Sequence, residues 1–114
     1  MNEITQQDLA RMQAALEKKV YCIKDKIGEN FTDPVIRKND QEAVRTFQNV
    51  CSNDREMAYH HPGDFDLYCV GTFNPITGAI TGDEVRFVIS AVNAKELKEK
   101  ENGKKVTDPL PVGN

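Results

Sequence analysis

The sequence is poor in the residues and motifs that signal catalysis or membrane insertion. Its 114 residues include no tryptophan, and only 7% are aromatic. No apolar run approaches the roughly 20 residues that a transmembrane helix needs. Phosphate-binding glycine loops, dinucleotide-binding glycine patterns and metalloprotease motifs are missing, and no nucleophile is paired with a base. We therefore expect a soluble, non-enzymatic protein without a cofactor.

Cysteine is also scarce, since Cys22, Cys51 and Cys69 are the three present and form no CxxC pair. The odd count and the lack of a secretory signal pattern favour a reducing cytosol, where these residues would be free core thiols. The adjacent histidines His60 and His61 lack the convergent partners that a zinc or catalytic site needs. We expect them to have structural or solvent-facing roles.

Positive charge is not in excess either. The formal net charge is -3 and the isoelectric point is near 5.4. Strong non-specific binding to a polyanion depends on clustered lysine and arginine that release counterions, and this composition argues against it. Any nucleic-acid site must therefore be a local patch.

The clearest strand pattern runs from Phe65 to Phe73, where odd-numbered residues fall on one face and even-numbered residues on the other. Pro62 and Gly63 precede it as a turn. The segment 74–78 follows it with proline and glycine placed to reverse the chain, which predicts a hairpin. The return strand is predicted at 85–89, with Val85, Phe87 and Ile89 sharing one face.

The N-terminal part predicts a helix from Thr5 to Lys19, with a cap at Thr5 and a narrow apolar stripe. That helix could pack on its own domain or pair with a second copy, which leaves a homodimer open. Residues 20–24 and 35–37 predict two short antiparallel strands, joined by a loop over 25–33. Asn39 with Glu42 predicts a capping box that opens a core-facing helix, ended by residues 52–54, with Phe47 as a core anchor.

The fold class that follows is α+β, with an antiparallel sheet of about four short strands and helices on one face. We predict one small domain: an N-terminal amphipathic helix over 1–19, a core over 20–92 and a charged, flexible tail over 93–114. Within the last part, 91–101 could form a short helix. The residues from 98 onward offer little apolar surface to offset the entropy of ordering.

Three segments of the sequence carry a resemblance to a known family. They are 20–25 (VYCIKD), 37–47 (RKNDQEAVRTF) and 61–67 (HPGDFDL, read on to VGTF at 70–73). In order and spacing they resemble the small nonstructural protein of gokushovirus-type microviruses, which are single-stranded DNA phages. The resemblance covers about Val20 to Thr81. Tyr68, Cys69 and Thr72 depart from it and make the outer strand face less acidic.

The resemblance implies a phage protein that is absent from the mature virion, lies in the host cell cytoplasm and binds DNA. The leading prediction is a nonstructural protein that supports single-stranded DNA synthesis or packaging. The alternative is a protein-interaction module that docks on a viral or host replication or assembly protein, which the acidic balance suits better.

For DNA binding, the predicted site combines basic groups for phosphates with a tyrosine that stacks on bases. Weak, electrostatic binding of single-stranded DNA is expected, because Asp40 and Glu42 at the helix entrance repel a phosphate there. Two other interpretations stay open: the charges form an ordinary solvated surface, and the tyrosines only cover the sheet. Other basic positions that could serve instead are 18–19 and 104–105. The predicted site residues are Lys24, Lys26, Arg37, Lys38, Arg45, Tyr21 and Tyr68.

Overall fold

The computed structural model describes the chain from Thr5 to Thr107, except for the side chains of residues 13 and 102–107. Residues 1–4 and 108–114, which belong to the predicted N-terminal helix segment and tail, lie outside the described residues. The helices are α1 Gln6–Leu16, α2 Asp40–Cys51, α3 Met57–His60 and α4 Ala91–Thr107, with a 3-10 turn at Pro62–Asp64. The strands are β1 Lys18–Asp25, β2 Asn30–Phe31, β3 Val35–Arg37, β4 Phe65–Phe73 and β5 Ile80–Ser90.

The five strands form one antiparallel sheet in the order β2-β1-β4-β5, and β3 pairs with β1 on the same edge as β2. β1 and β4 run alongside each other from Lys18 opposite Phe73 to Asp25 opposite Phe65. The predicted α+β class is confirmed, as are the limits of β3 and β4 and the antiparallel pairing of β1 with β3.

Helix α2 supplies much of the core. It begins at the predicted cap, and its predicted apolar stripe faces the sheet. The Asn39 Oδ1 accepts a hydrogen bond from the Glu42 amide at 2.9 Å. The Glu42 carboxylate reaches one residue beyond the predicted box and accepts from the Lys38 amide at 2.9 Å. Phe47 and Cys51 are buried and pack against β1 and β4 in the shared core. All three cysteines are buried and free, as predicted.

The predicted hairpin joins β4 to β5. The Asn74 Oδ1 accepts from the Ile76 amide at 2.9 Å and from the Thr77 amide at 3.3 Å. Gly78 has a φ of 78°, in the left-handed region that a residue without Cβ enters at little cost. Asn74 and Gly78 thus determine where the chain turns back between β4 and β5.

The N-terminal helix is shorter than predicted. It ends at Leu16, and Lys18 and Lys19 belong to β1, opposite Phe73 and Thr72. Strand pairing overrides the helical preference of lysine here. Leu9, Met12 and Leu16 are each at least 39% exposed, so the apolar stripe of α1 is not buried against the domain, and the prediction that this stripe packs on its own domain is not confirmed.

Two predicted connections contain secondary structure. The loop expected over 25–33 includes β2, with Phe31 opposite Lys24 on β1. The polar link before β4 includes the short helix α3, whose Ala58 joins the core. Both pieces are too short to show a period in the sequence.

The return strand is longer than predicted and irregular. Its pairing with β4 shifts between Leu67 opposite Ile89 and Tyr68 opposite Phe87, so Val88 is an extra residue. This β-bulge turns Phe87 to the face opposite Ile89, and the prediction that they share a face is wrong. Beyond β5, helix α4 continues to Thr107, further than the predicted short helix over 91–101.

Candidate nucleic-acid interface

Three aromatic side chains form a row across the sheet face that lies opposite the helices. We call Phe31, Tyr68 and Phe87 the aromatic row. The ring centroids of Phe31 and Tyr68 lie 5.8 Å apart, and those of Tyr68 and Phe87 lie 5.7 Å apart, both in edge-to-face geometry. Phe31 is 42% exposed and Phe87 is 50% exposed, so large apolar rings remain accessible to solvent.

Strand alternation explains how these rings meet. Tyr21, Leu67 and Cys69 point into the core under the helices, so their strand neighbours point to the other face. On that face, which we call the open face, Tyr68 lies directly opposite Cys22 on β1 and Phe87 on β5. Residues directly opposite in an antiparallel pair share a face, which aligns Tyr68 with Phe87, whereas Phe31 lies opposite Lys24 and meets Tyr68 diagonally across β1.

Lysines lie at the Phe31 end of the row. The Lys24 Nζ is 5.7 Å from the centroid of the Phe31 ring, a cation–π distance. The Lys26 Nζ is 3.4 Å from the Asp66 Oδ2, and Asp66 lies directly opposite Lys24 on the open face. Lys24 is therefore placed to meet a phosphate beside the first ring, whereas Lys26 already has an acidic partner.

Tyr21, one of the two predicted stacking residues, lies on the helix side. Its side chain is fully buried, and its hydroxyl donates to the Asp40 Oδ1 at 2.6 Å. Its ring has no exposed face on which a base could stack, so this part of the predicted site is wrong. The predicted alternative, Tyr68, is at the centre of the aromatic row.

The predicted basic cluster does not assemble. Because β1 and β3 are antiparallel, Arg37 lies opposite Lys19 at the start of β1, five residues from Lys24. At about 3.3 Å per residue, that separation is roughly 16 Å. The Arg37 Nε donates to the Thr46 Oγ1 on α2 at 2.9 Å, which holds the guanidinium on the helix side.

The remaining predicted residues also lie near α2 rather than near the row. Lys38 is exposed just before the helix, and Arg45 is exposed on it. Arg45 lines a groove between α2 and α4 together with Val44 and Leu97. Of the seven predicted residues, Lys24 and Tyr68 share the open face with the row, and Lys26 reaches it through Asp66.

A polar network closes the helix side at the entrance of α2. Arg86 binds Asp40 through two hydrogen bonds, at 2.8 Å from Nη1 to Oδ2 and 3.0 Å from Nη2 to Oδ1. The Arg86 hydrogen bond lowers the pKa of Asp40 against the opposing effect of burial, and the Tyr21 hydroxyl lowers it further. Burial and the bond to Asp40 raise the pKa of Tyr21. The network therefore joins β1, α2 and β5, because Tyr21 and Arg86 both donate hydrogen bonds to Asp40.

Sequence reasoning missed Phe31 and Phe87. Phe31 lies in a two-residue strand inside a predicted loop, and the bulge at Val88 reverses the face that simple alternation gives to Phe87. The sequence signal for these two residues is weak, since each is simply the one aromatic residue in its segment, 25–33 or 85–89. Its meaning depends on the strand order, which the sequence does not reveal.

The described residues offer no metal site, since no group of three His, Cys, Asp or Glu side chains converges in them. The His60 ring nitrogen Nε2 is 2.7 Å from the Asp54 carbonyl oxygen, and His61 is exposed. Within the described part of the chain, no helix is both long and apolar enough to cross a bilayer.

Fold and interface together define a small antiparallel α+β protein with an aromatic surface on one sheet face. A family model described as Phage ORF5 protein matches residues 18–94, about two thirds of the chain, and the chain belongs to this family. The match runs from β1 to the first turn of α4 and includes the whole aromatic row. The family places the chain among phage proteins. No curated protein and no solved structure matches it.

Proposed function

We propose that this chain is a microvirus-type phage nonstructural protein that binds single-stranded DNA in the host cell cytoplasm, without catalysis, during single-stranded DNA synthesis or packaging. The observation that carries the proposal is the aromatic row on the open face, with rings 5.8 and 5.7 Å apart. Membership of the phage family and the resemblance to microvirus nonstructural proteins support it.

Unpaired bases suit this surface better than a duplex does. Single-strand binders stack successive bases on aromatic side chains, and each stack contributes about 1–3 kcal/mol by alanine substitution. Bases in a duplex already stack on each other and offer the protein only their edges. Because the rings of the row are partly exposed on a sheet face, they can stack on bases that are not already stacked on each other, which favours an unpaired strand.

Electrostatics adds little to this binding. The chain has a net charge of -3, and Lys26 on the open face is already paired with Asp66. Lys24 is the cation best placed for a phosphate beside the row. For single strands, the logarithm of affinity falls with the logarithm of salt by about 0.7 per neutralised phosphate, so one phosphate held by Lys24 gives an expected slope of about 0.7. The complex is weak and depends mainly on stacking.

Fluorescence anisotropy of a labelled single-stranded oligonucleotide tests this proposal. Phe87→Ala removes an exposed ring from the row, and we expect affinity to fall by about 5- to 150-fold, as loss of one base stack implies. Tyr59→Ala is the matched control, because Tyr59 is also an exposed aromatic residue, at 39%, but lies on α3. Its affinity should equal that of the wild type.

Two results would count against the proposal. One is no binding of the wild-type protein at low salt, and the other is equal binding by the wild type and Phe87→Ala. A duplex of the same sequence should bind more weakly than the single strand, because its bases are not free to stack on the row. Thermal melting of each variant confirms that it is folded before its affinity is interpreted.

A second candidate function is docking on a viral or host replication or assembly protein. The exposed apolar stripe of α1, formed by Leu9, Met12 and Leu16, supports it. An amphipathic helix can place such a stripe in a groove of a partner or against a second copy. Met12→Glu would then abolish co-purification with that partner, or self-association, while leaving DNA affinity unchanged.

A further inference from the structure

One acidic group on the open face, Asp66, is nearly buried and has a long ion pair as its polar side-chain contact. Asp66 is 7% exposed, and its side chain points to the same face as Tyr68, two residues further along β4. Within the described part of the chain, its polar side-chain contact is the Lys26 ammonium, at 3.4 Å from Oδ2. No fully buried side-chain oxygen among the described residues lacks a partner, so the unbonded Asp66 oxygen reaches the surface.

This carboxylate retains most of its capacity to accept hydrogen bonds. An ionised carboxylate has about four acceptor positions, and charge-assisted hydrogen bonds from an ammonium are typically about 2.7–2.9 Å long. The 3.4 Å separation from Lys26 is longer than that. The oxygen that reaches the surface accepts from water in the free protein, so a ligand that displaces this water must supply donors in its place. A phosphate cannot supply them, because it carries the same sign of charge.

A base stacked on the row can supply them. Residues two apart on a strand are about 6.6 Å apart, at roughly 3.3 Å per residue. The edge of a base that lies over Tyr68 can therefore extend to Asp66. Proteins that recognise single strands hydrogen-bond the Watson–Crick edges of splayed bases in the same manner.

We propose that Asp66 accepts hydrogen bonds from the Watson–Crick edge of an unpaired guanine stacked on Tyr68, which gives the interface a preference for guanine. The inference rests on the proposed function. Guanine presents two adjacent donors, N1–H and the N2 amino group, which match the two oxygens of a carboxylate. Adenine and cytosine place one amino group beside a ring-nitrogen acceptor, and thymine places one N–H between two carbonyl oxygens. Each of those acceptors repels the carboxylate.

Short single strands bound to the wild-type protein test this directly. The probes are labelled five-nucleotide DNA strands of thymine whose central base is thymine, guanine, inosine or 7-deazaguanine. A two-point hydrogen bond discriminates by about 1–3 kcal/mol, so we expect the guanine strand to bind about tenfold more tightly than the all-thymine strand. Inosine lacks the N2 amino group and should lose most of the gain. The 7-deazaguanine strand keeps both donors and should keep the gain.

A protein variant provides the second arm. Asp66→Asn should reduce the ratio of guanine-strand to all-thymine-strand affinity to about twofold or less, and this ratio cancels the effect that loss of a negative charge has on phosphate affinity. Asp64→Asn is the control, since it removes the same charge two residues away, in the turn before β4. It should keep the preference.

The outcomes distinguish the guanine preference from the proposed binding of single-stranded DNA. Equal binding of all four strands by the wild type, or loss of the preference in both variants, overturns the assignment to Asp66 and leaves single-strand binding in place. A higher affinity for inosine than for guanine also overturns it. Failure to bind any strand overturns the proposed function together with the inference. The four-strand series uses only wild-type protein, so it decides the question even if Asp66→Asn does not fold.

Discussion

The two faces of the sheet are built differently. On the helix side, nine buried residues of the described part of the chain, from β1, β4, α2, α3 and α4, form the core, and Tyr21 is fully buried there. On the open side, the aromatic row leaves Phe31 and Phe87 about half exposed. Apolar rings of similar size thus serve packing on one face and remain accessible on the other. The core residues are Tyr21, Ala43, Phe47, Cys51, Ala58, Leu67, Cys69, Ala91 and Ala94.

Polar groups follow the same division. On the helix side, the Asp40 carboxylate has a bidentate guanidinium and a tyrosine hydroxyl as partners. On the open side, Asp66 has a single ammonium at 3.4 Å. The hydrogen-bonding capacity of Asp40 is thus largely used within the chain, whereas that of Asp66 is largely unused by the described side chains. Variants on the helix side should therefore change mainly the free energy of unfolding, whereas variants on the open side should change mainly the affinity for the proposed single-stranded DNA ligand.

The largest effect is expected at Phe47, which is 1% exposed and belongs to the helix-side core. Removing a buried phenylalanine ring leaves a cavity, so Phe47→Ala should lower the free energy of unfolding by about 3–5 kcal/mol. That is a large part of the roughly 5–15 kcal/mol typical of a domain. Urea denaturation followed by circular dichroism measures it.

Phe87→Ala is the control for this prediction, because it removes the same ring from the open face. The half-exposed Phe87 ring should cost much less stability, about 1 kcal/mol, since it forfeits little burial and one ring contact. If both variants lose the same stability, the open face contributes to folding as much as the core does, and the division between the faces is wrong.

A smaller effect is expected from Asp40→Ala at neutral pH. The change leaves the buried Tyr21 hydroxyl without its acceptor, which costs about 1–3 kcal/mol. The ion pair with Arg86 adds less than about 1 kcal/mol, because its side chains are 51% and 44% exposed. Asp54→Ala is the control, since Asp54 is an exposed carboxylate away from the network.

The pH dependence of that difference follows from the pKa of Asp40, which the bond to Arg86 lowers. A carboxyl group with a folded pKa below its unfolded value, about 3.9, stabilises the fold above that value. The stabilisation is lost as pH falls through the folded pKa. Urea midpoints should therefore separate wild type from Asp40→Ala by a constant amount between pH 7 and 5, and the gap should shrink below about pH 4. A gap that widens on acidification would show that Asp40 is not held as the anion.

The sequence predicts elements whose signals are local. β4 and the hairpin after it follow from period-two alternation and turn residues, and α2 follows from Asn39 and Glu42. These features depend on neighbouring residues only. The boundary between α1 and β1 was misplaced because Lys18 and Lys19 join the sheet through pairing with β4, which no local signal encodes.

The interface depends on strand order and on one bulge, and both are non-local. Tyr68 was predicted, beside Tyr21, as a stacking residue on the sheet face, but Phe87 reaches it only through the register shift at Val88. The basic residues were expected to converge on the assumption that short connections bring them together. Antiparallel pairing instead separates Lys24 from Arg37 along β1.

The smallest predicted effect concerns the coupling between rings of the row. Tyr68 and Phe87 meet edge to face, with centroids 5.7 Å apart and planes at 78°. Such pairs contribute about 0.5–1.5 kcal/mol beyond their burial. A double-mutant cycle of Tyr68→Leu and Phe87→Leu, which retains much of the apolar volume, should therefore give a coupling energy in that range.

The control cycle combines Phe31→Leu with Phe87→Leu, because each of these rings contacts Tyr68 rather than the other. Separated sites usually add within about 0.3–0.5 kcal/mol, so the control should show coupling no larger than that. A coupled response of Phe31 and Phe87 would mean that the three rings act as one packed cluster. In that case the open face would be a second, smaller core. Coupling of Tyr68 with Phe87 but not of Phe31 with Phe87 would instead show that the rings interact pairwise along the row.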